Sequence, residues 1–344
     1  MKRLLAAIVV LVGLGSLGAL YLRQALYGDR YKGFTEPVFV EIPKGKSTQA
    51  IGEMLAENGV LRSAWQLRAM RALHPFTGIQ AGDYQFAKPA TPAEIFDRLR
   101  RGDIYTVEFR VPEGANLWDV ADIAEQTGLV KRVDFLAVAG KPDLIVDLDP
   151  SAPNLEGYLF PSTYRFRRKV TALDICRTMT QQFRKTWKSL GVGADVHKAV
   201  VLASLVEKEA KLPEERPRIA GVYVNRLERG IKLDCDPTVI YAALLVDKWK
   251  GTIHRSDLDR DHPYNTYLKT GLPPGPIASP GLKSLEAAVE PAKTDEIFFV
   301  ARADGSGGHT FSATAAAHNK AVEAYRSGLQ THANPGVARK PVLR

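Results

Sequence analysis

The feature that most limits this chain is an uncharged run from Leu4 to Leu22, preceded by Lys2 and Arg3. Backbone N–H and C=O groups in a bilayer have no water to bond, so a segment there must satisfy them internally, as a helix. The run is close to the ~20 residues that cross a hydrocarbon core. A cleaved signal peptide is the competing reading, but its apolar core is shorter and ends at small residues. Here the run passes into Tyr21-Leu22-Arg23-Gln24 instead. The expectation is an uncleaved, single-pass anchor and flank over 1–26. Arg23, Arg30 and Lys32 lie just beyond the run, so charge alone leaves the orientation ambiguous. The short N-terminal side favours placing the bulk of the chain outside the cytoplasm.

The remainder of the 344 residues suffices for about two domains with their own cores. A net charge of +9 suits an anionic partner. The charges are scattered, apart from Arg165, Arg167, Arg168 and Lys169, and no nucleic-acid-binding signature is present, so no nucleic acid is expected. Cys176 and Cys235 are either two buried free thiols, the favoured reading, or a pair in an oxidising compartment. No ligand spacing for a metal is found, and no cofactor is expected.

The centre of the chain is Val200-Val201-Leu202-Ala203-Ser204-Leu205-Val206-Glu207-Lys208-Glu209-Ala210. Asp195 can cap this helix at its start. Val196, Ala199, Val200 and Ala203 recur at helical spacing, and Glu207 is next on that face. A carboxyl group on the buried side of a helix resists ionisation, and a protonated acid can donate a proton. From this segment alone the favoured reading is a helix end with both acids solvated. Spacing does not choose between the acids, because Glu209 follows Leu202, Leu205 and Val206, also apolar.

Around this helix the chain reads in blocks. Val38 to Gly45 is a strand and turn, followed by helices with Ile51 and Leu55 and from Ala64 to Leu73, and Thr91-Pro92 starts another. The pattern repeats: Val107 to Gly114 matches the first strand and turn, the helix of Leu117, Val120 and Ile123 follows, and another begins near Val133. Glu156-Gly157-Tyr158-Leu159-Phe160-Pro161 is read as the counterpart of Gly82-Asp83-Tyr84. The divisions are thus 27–106 and 107–165 for the two repeats, 166–330 for a third domain and 331–344 for a basic tail.

In the third domain an amphipathic helix from Thr171 to Leu190 precedes the central one, and Pro217 opens another with Asn225 near its end. Asp236-Pro237-Thr238 starts a helix with Asp236 as its cap. Tyr264-Asn265-Thr266-Tyr267 and the Gly/Pro-rich loop from Gly271 to Gly281 make a rigid irregular segment. Two aromatic rings flanking an amide and a hydroxyl suit a sugar, although each ring could equally be core. Two strands, Glu296 to Ala301 and His309 to Phe311, and a helix from Ala313 to Tyr325 close the chain.

Taken in order, Leu202 to Glu209, Val222-Tyr223-Val224-Asn225-Arg226-Leu227, Asp236 to Tyr241, Tyr264 to Tyr267 with Gly271 to Ile277, and Gly308-His309-Thr310-Phe311 resemble the endolytic murein transglycosylase (YceG-like) family. Glu156 to Pro161 fits the same family, and the likeness runs from about Val38 to Tyr325. The resemblance implies an α+β fold: an N-terminal transmembrane helix, duplicated LysM-like strand–helix–helix modules that dock on glycan or act as spacers, and a mainly helical catalytic domain with a short β-sheet. It implies internal cleavage of peptidoglycan glycan strands without hydrolysis, leaving 1,6-anhydro-N-acetylmuramic acid ends, with cell-wall synthases as partners. One carboxyl group serves as acid and then base. The resemblance points to Glu207 for this, with Glu209 and Asp236 in support and Asn225, Tyr264, Asn265, Tyr267 and His309 holding the glycan. A hydrolytic muramidase and a non-catalytic peptidoglycan-binding scaffold are the alternatives. A pyridoxal-phosphate lyase finds no support in these residues.

Overall fold

The structure is a computed structural model and describes residues 2–332. Most of the expected tail, 331–344, therefore lies outside the described residues. Helix α1 (Lys2–Arg23) has no buried residue and is long and apolar enough to cross a membrane. A π-helical turn, Gln24–Gly28, continues it.

The chain divides into two compact units that meet between Val107 and Glu108. The first contains β1 (Val38–Ile42), α2 (Thr48–Glu57), α3 (Ala64–Leu73), β2 (Gly82–Phe86) and α4 (Pro92–Arg101). β1 and β2 pair antiparallel with Val40 opposite Tyr84. Alternation along each strand sends Val40, Ile42, Tyr84 and Phe86 inward, where they meet Ile51, Leu55, Leu67, Met70 and Phe96. Leu26, expected to flank the anchor, is fully buried in this core, and Gln66 Nε2 donates to the Ala25 carbonyl at 3.1 Å. The end of α1 is thus tied to the rest of the first unit. The Thr91 side chain accepts from the Glu94 amide at 3.2 Å, and Glu94 reaches back to the Thr91 amide at 2.9 Å, a reciprocal cap that starts α4.

The second unit opens with β3 (Val107–Arg110), which runs into it from the first, then α5 (Leu117–Gln126), α6 (Arg132–Ala139) and β4 (Thr163–Phe166). The element order of β1 to β2 recurs, and β3 pairs with β4. The strand that closes this second set is Thr163–Phe166, however, and not Glu156–Pro161. The latter is a turn, and Glu156 within it is bonded through its side chain. Its Oε2 accepts the Leu117 amide at the start of α5 and the Tyr241 hydroxyl, both at 3.0 Å. The backbone turns because Gly157 takes φ +83° and the Tyr158 amide bonds back to the Leu155 carbonyl at 3.0 Å.

The rest of the unit is α7 (Ala172–Leu190), α8 (Val196–Glu209), a 3₁₀ turn at Pro213–Glu215, α9 (Arg216–Glu228), α10 (Asp236–Leu245), α11 (Arg255–Leu258), α12 (Leu282–Val289), the antiparallel hairpin β5 (Phe298–Ala301) and β6 (His309–Ser312), and α13 (Ala315–His332). Asp195 caps α8 as expected, accepting from the Lys198 amide at 3.1 Å. Every residue from Ala199 to Val206 is buried, so α8 is a core helix enclosed on all sides rather than an amphipathic one. Cys176 and Cys235 are buried free thiols.

Glu156 is 1% exposed, and its Oε1 has no partner among the described residues. Burial pushes its carboxyl from an ordinary 4.5 to about 8, and the Leu117 and Tyr241 donors pull it back only in part. The folded state therefore holds a proton that the unfolded chain releases. The associated stability is full below pH 4.5 and is lost as pH rises toward about 8. Thermal melts across that window should show the wild type losing stability with rising pH and Glu156→Gln losing less. Parallel curves for the two proteins would contradict this account.

Candidate active site

The last turn of α8 presents its two acids to different surroundings. Glu207, with a side chain 6% exposed, has both oxygens occupied. Oε1 accepts Arg216 Nη2 at 3.2 Å, and Oε2 accepts the Gly281 amide at 3.0 Å and the Ser284 hydroxyl at 2.7 Å. Gly281 and Ser284 belong to the first turn of α12, so Glu207 satisfies free donors at that helix start. Arg216 is itself buried and also donates to Ser284 Oγ at 3.0 Å. The expected apolar pocket for Glu207 is therefore replaced by a nest of donors.

The Pro112–Ala115 turn lies against the same place. Lys208 Nζ donates to the Gly114 carbonyl at 3.0 Å, and Gly114 and Ser279 are joined by an amide-to-carbonyl bond of 2.9 Å. The Glu113 carboxyl approaches Arg216 at 3.9 Å. It is pushed above its ordinary value by burial and by the neighbouring Glu207 charge, against the pull of Arg216. A Cβ at Gly281 would fall 2.0 Å from Glu113 Oε1, so a larger residue there would displace the Glu113 carboxyl. Glu113 was not singled out in the sequence; its sole signal was the Pro-Glu-Gly turn.

Glu209, two residues on, is buried and borders a cavity of about 200 Å³. Arg226, Asp234, Asp236, Tyr267 and Phe298 line the same cavity. The Cys235 thiol points to Glu209 Oε1 at 3.6 Å. Asp236 does not stand at the cap of α10. Cys235 occupies that position, and Asp236 begins the helix and accepts the Tyr267 hydroxyl at 2.6 Å. Thr266 brings the two segments together, because its hydroxyl bonds the Cys235 amide at 3.0 Å and the Thr238 hydroxyl at 2.8 Å. Burial raises the Tyr267 phenol, and the Asp236 carboxylate adds to the effect, so the phenol keeps its proton.

The other expected glycan-holding residues are committed elsewhere. Asn265 is fully buried; its Nδ2 donates to the carbonyls of Leu258 and Arg260 at 2.9 and 2.8 Å, and its Oδ1 accepts the Tyr267 amide at 3.0 Å. It shapes the loop from within. Tyr264 is core, packed on Tyr241 with ring centroids 5.1 Å apart. Asn225 donates both amide hydrogens to backbone, at Thr294 and Glu296, each at 2.8 Å. His309 gives its backbone amide and Nδ1 to Glu215, at 2.9 and 2.7 Å, pinning the β5–β6 hairpin beside α9. Burial alone would raise Glu215, but the His309 and Arg302 donors outweigh it and hold the carboxyl below its ordinary value. Arg226 was missed as a site residue. It donates to the carbonyls of Ile297 and Leu233 at 2.6 and 2.9 Å and pairs with Asp234 at 3.2 Å, at the cavity wall.

A buried carboxyl at a helix end, opening on a cavity with a second acid, a phenol and a guanidinium, defines a site equipped for proton transfer. The YceG-like family profile matches residues 40–324, and the chain belongs to that family. It is similar to an endolytic murein transglycosylase of Bacillus subtilis, 36% identical over 90% of this chain and 91% of that protein. A Streptococcus pneumoniae protein of the same name is 30% identical over 77% of this chain, which spans about half (54%) of that longer relative. The crystal structure of a yceG-like protein from Listeria monocytogenes superposes with a TM-score of 0.54 at 32% identity, covering 83% of this chain and 99% of that one.

Removing the Glu207 carboxylate leaves a buried guanidinium and a helix start without their acceptor, a loss of about 3 kcal/mol or more. Glu207→Ala should therefore lower the denaturation midpoint, measured by thermal melt. A midpoint equal to wild type would contradict the anchoring role.

Proposed function

We propose that this protein is a membrane-anchored lytic transglycosylase of peptidoglycan. It cuts the β-1,4 bond between N-acetylmuramic acid and N-acetylglucosamine inside glycan strands. The observation that carries the reading is the cavity: Glu209, Arg226, Asp236 and Tyr267, from four separated sequence blocks, line one space. The names of the relatives supply the substrate class.

The proton-transferring residue in this proposal is Glu209, not Glu207. Glu207 has both oxygens held by structural donors, whereas Glu209 opens on the cavity. Glu209 gives a proton to the glycosidic oxygen as the C1–O bond breaks. It then takes the proton from the C6 hydroxyl of the same muramyl residue as O6 bonds to C1. Substrate supplies the nucleophile, so no water is consumed and the product is a 1,6-anhydro end. Asp236 and Tyr267 orient the sugar at the cavity wall. The hairpin-and-helix modules dock along the strand in LysM-like fashion, and α1 holds the catalytic unit at the outer face of the cytoplasmic membrane.

The test is product analysis of digested peptidoglycan by mass spectrometry, normalised to folded protein. Glu209→Gln should lower anhydro-end formation by about a hundredfold or more, while Glu207→Gln stays within about tenfold of wild type per folded molecule. The reverse order returns the acid–base role to Glu207. Reducing ends in place of anhydro ends would mean hydrolysis, with Asp236 the residue to activate water.

A further inference from the structure

One wall of the cavity comes from the C-terminal helix. His318, on α13, lines it beside Phe298. The two rings stack, with centroids 4.8 Å apart and planes inclined by 14°. Phe298 is held in turn by Arg226, whose guanidinium carbon lies 5.3 Å from its ring centre. The imidazole is thus fixed in orientation by packing. Its Nδ1 is sealed from solvent and has no hydrogen-bond partner among the described residues. Nε2 makes no hydrogen bond to a described residue, and with Nδ1 sealed it is the nitrogen of this fixed ring left to meet a ligand in the cavity. Packing needs would be met as well by phenylalanine.

We propose that His318 is a glycan-contacting residue of the Glu209 cavity, donating from Nε2 to an oxygen of the sugar seated against Phe298. An orphaned buried N–H is rarer in proteins than an orphaned acceptor, which places the proton of the neutral ring on Nε2. The charged groups that share the cavity are Glu209 on α8, Arg226 on α9, Asp234 and Asp236. Burial lowers the tendency of the ring to protonate, and the Arg226 charge acts in the same direction. The ring therefore meets a neutral sugar as a neutral partner. A neutral N–H at the rim of an aromatic wall suits a pyranose, whose oxygens take the hydrogen bond.

The inference rests on the assignment of this cavity to the glycan, and the experiment separates the two. Full-length protein in detergent is assayed on peptidoglycan as wild type, Glu209→Gln, His318→Phe and His318→Gln, with thermal melts for each. His318→Phe keeps the stack and removes the donor; it should raise KM about tenfold with kcat within about threefold. His318→Gln restores an N–H near the Nε2 position and should recover most of the lost KM. An unchanged KM in folded His318→Phe overturns the proposal. So does a loss that His318→Gln fails to restore and that follows the melting midpoint, since that is packing alone. Full activity of Glu209→Gln would instead overturn the cavity assignment itself.

Discussion

The second unit depends on one buried carboxylate. Glu207 ties the end of α8 to the start of α12 and to Arg216 at the head of α9. Three helices therefore converge on a single acceptor. The cost of burying its charge is offset because each oxygen meets a donor, one of them cationic. The neighbouring Lys208 secures the Pro112–Ala115 turn to the same point. Once these are fixed, α8 can end only where it does, and the next acid, Glu209, is delivered to the cavity.

The same economy of parts recurs around the site. Glu215 and Arg216 are adjacent, and the first holds the β5–β6 hairpin through His309 while the second holds Glu207. Asn265 builds its loop from inside so that Tyr267 reaches Asp236. Polar residues of these motif blocks divide between those that hold the loops and those that face the cavity. A motif written in sequence mixes the two.

Much of the architecture was legible before any coordinates. The membrane-length run, the Asp195 cap, the Thr91-Pro92 start, the two terminal strands and the free thiols follow from local chemistry that acts over a few residues. The errors have a common cause. The Glu156–Pro161 segment resembles a repeat's closing strand, but it is a turn whose Glu156 side chain bonds Leu117 and Tyr241, far away in the chain. Asp236 was read as a cap from its place before Pro237, yet Tyr267 claims it.

The sequence by itself determined that an apolar helix capped by Asp195 ends in Glu-Lys-Glu, because periodicity and capping act over a few residues; it left open whether those acids are buried or solvated. It could not determine which of the two carboxyl groups borders a cavity. Helical periodicity separates a buried face from a solvated one, and α8 is buried on every face from Ala199 to Val206. Only the tertiary structure sets α12 and Arg216 against Glu207 and a cavity against Glu209, since those neighbours come from segments that meet only when the chain has folded.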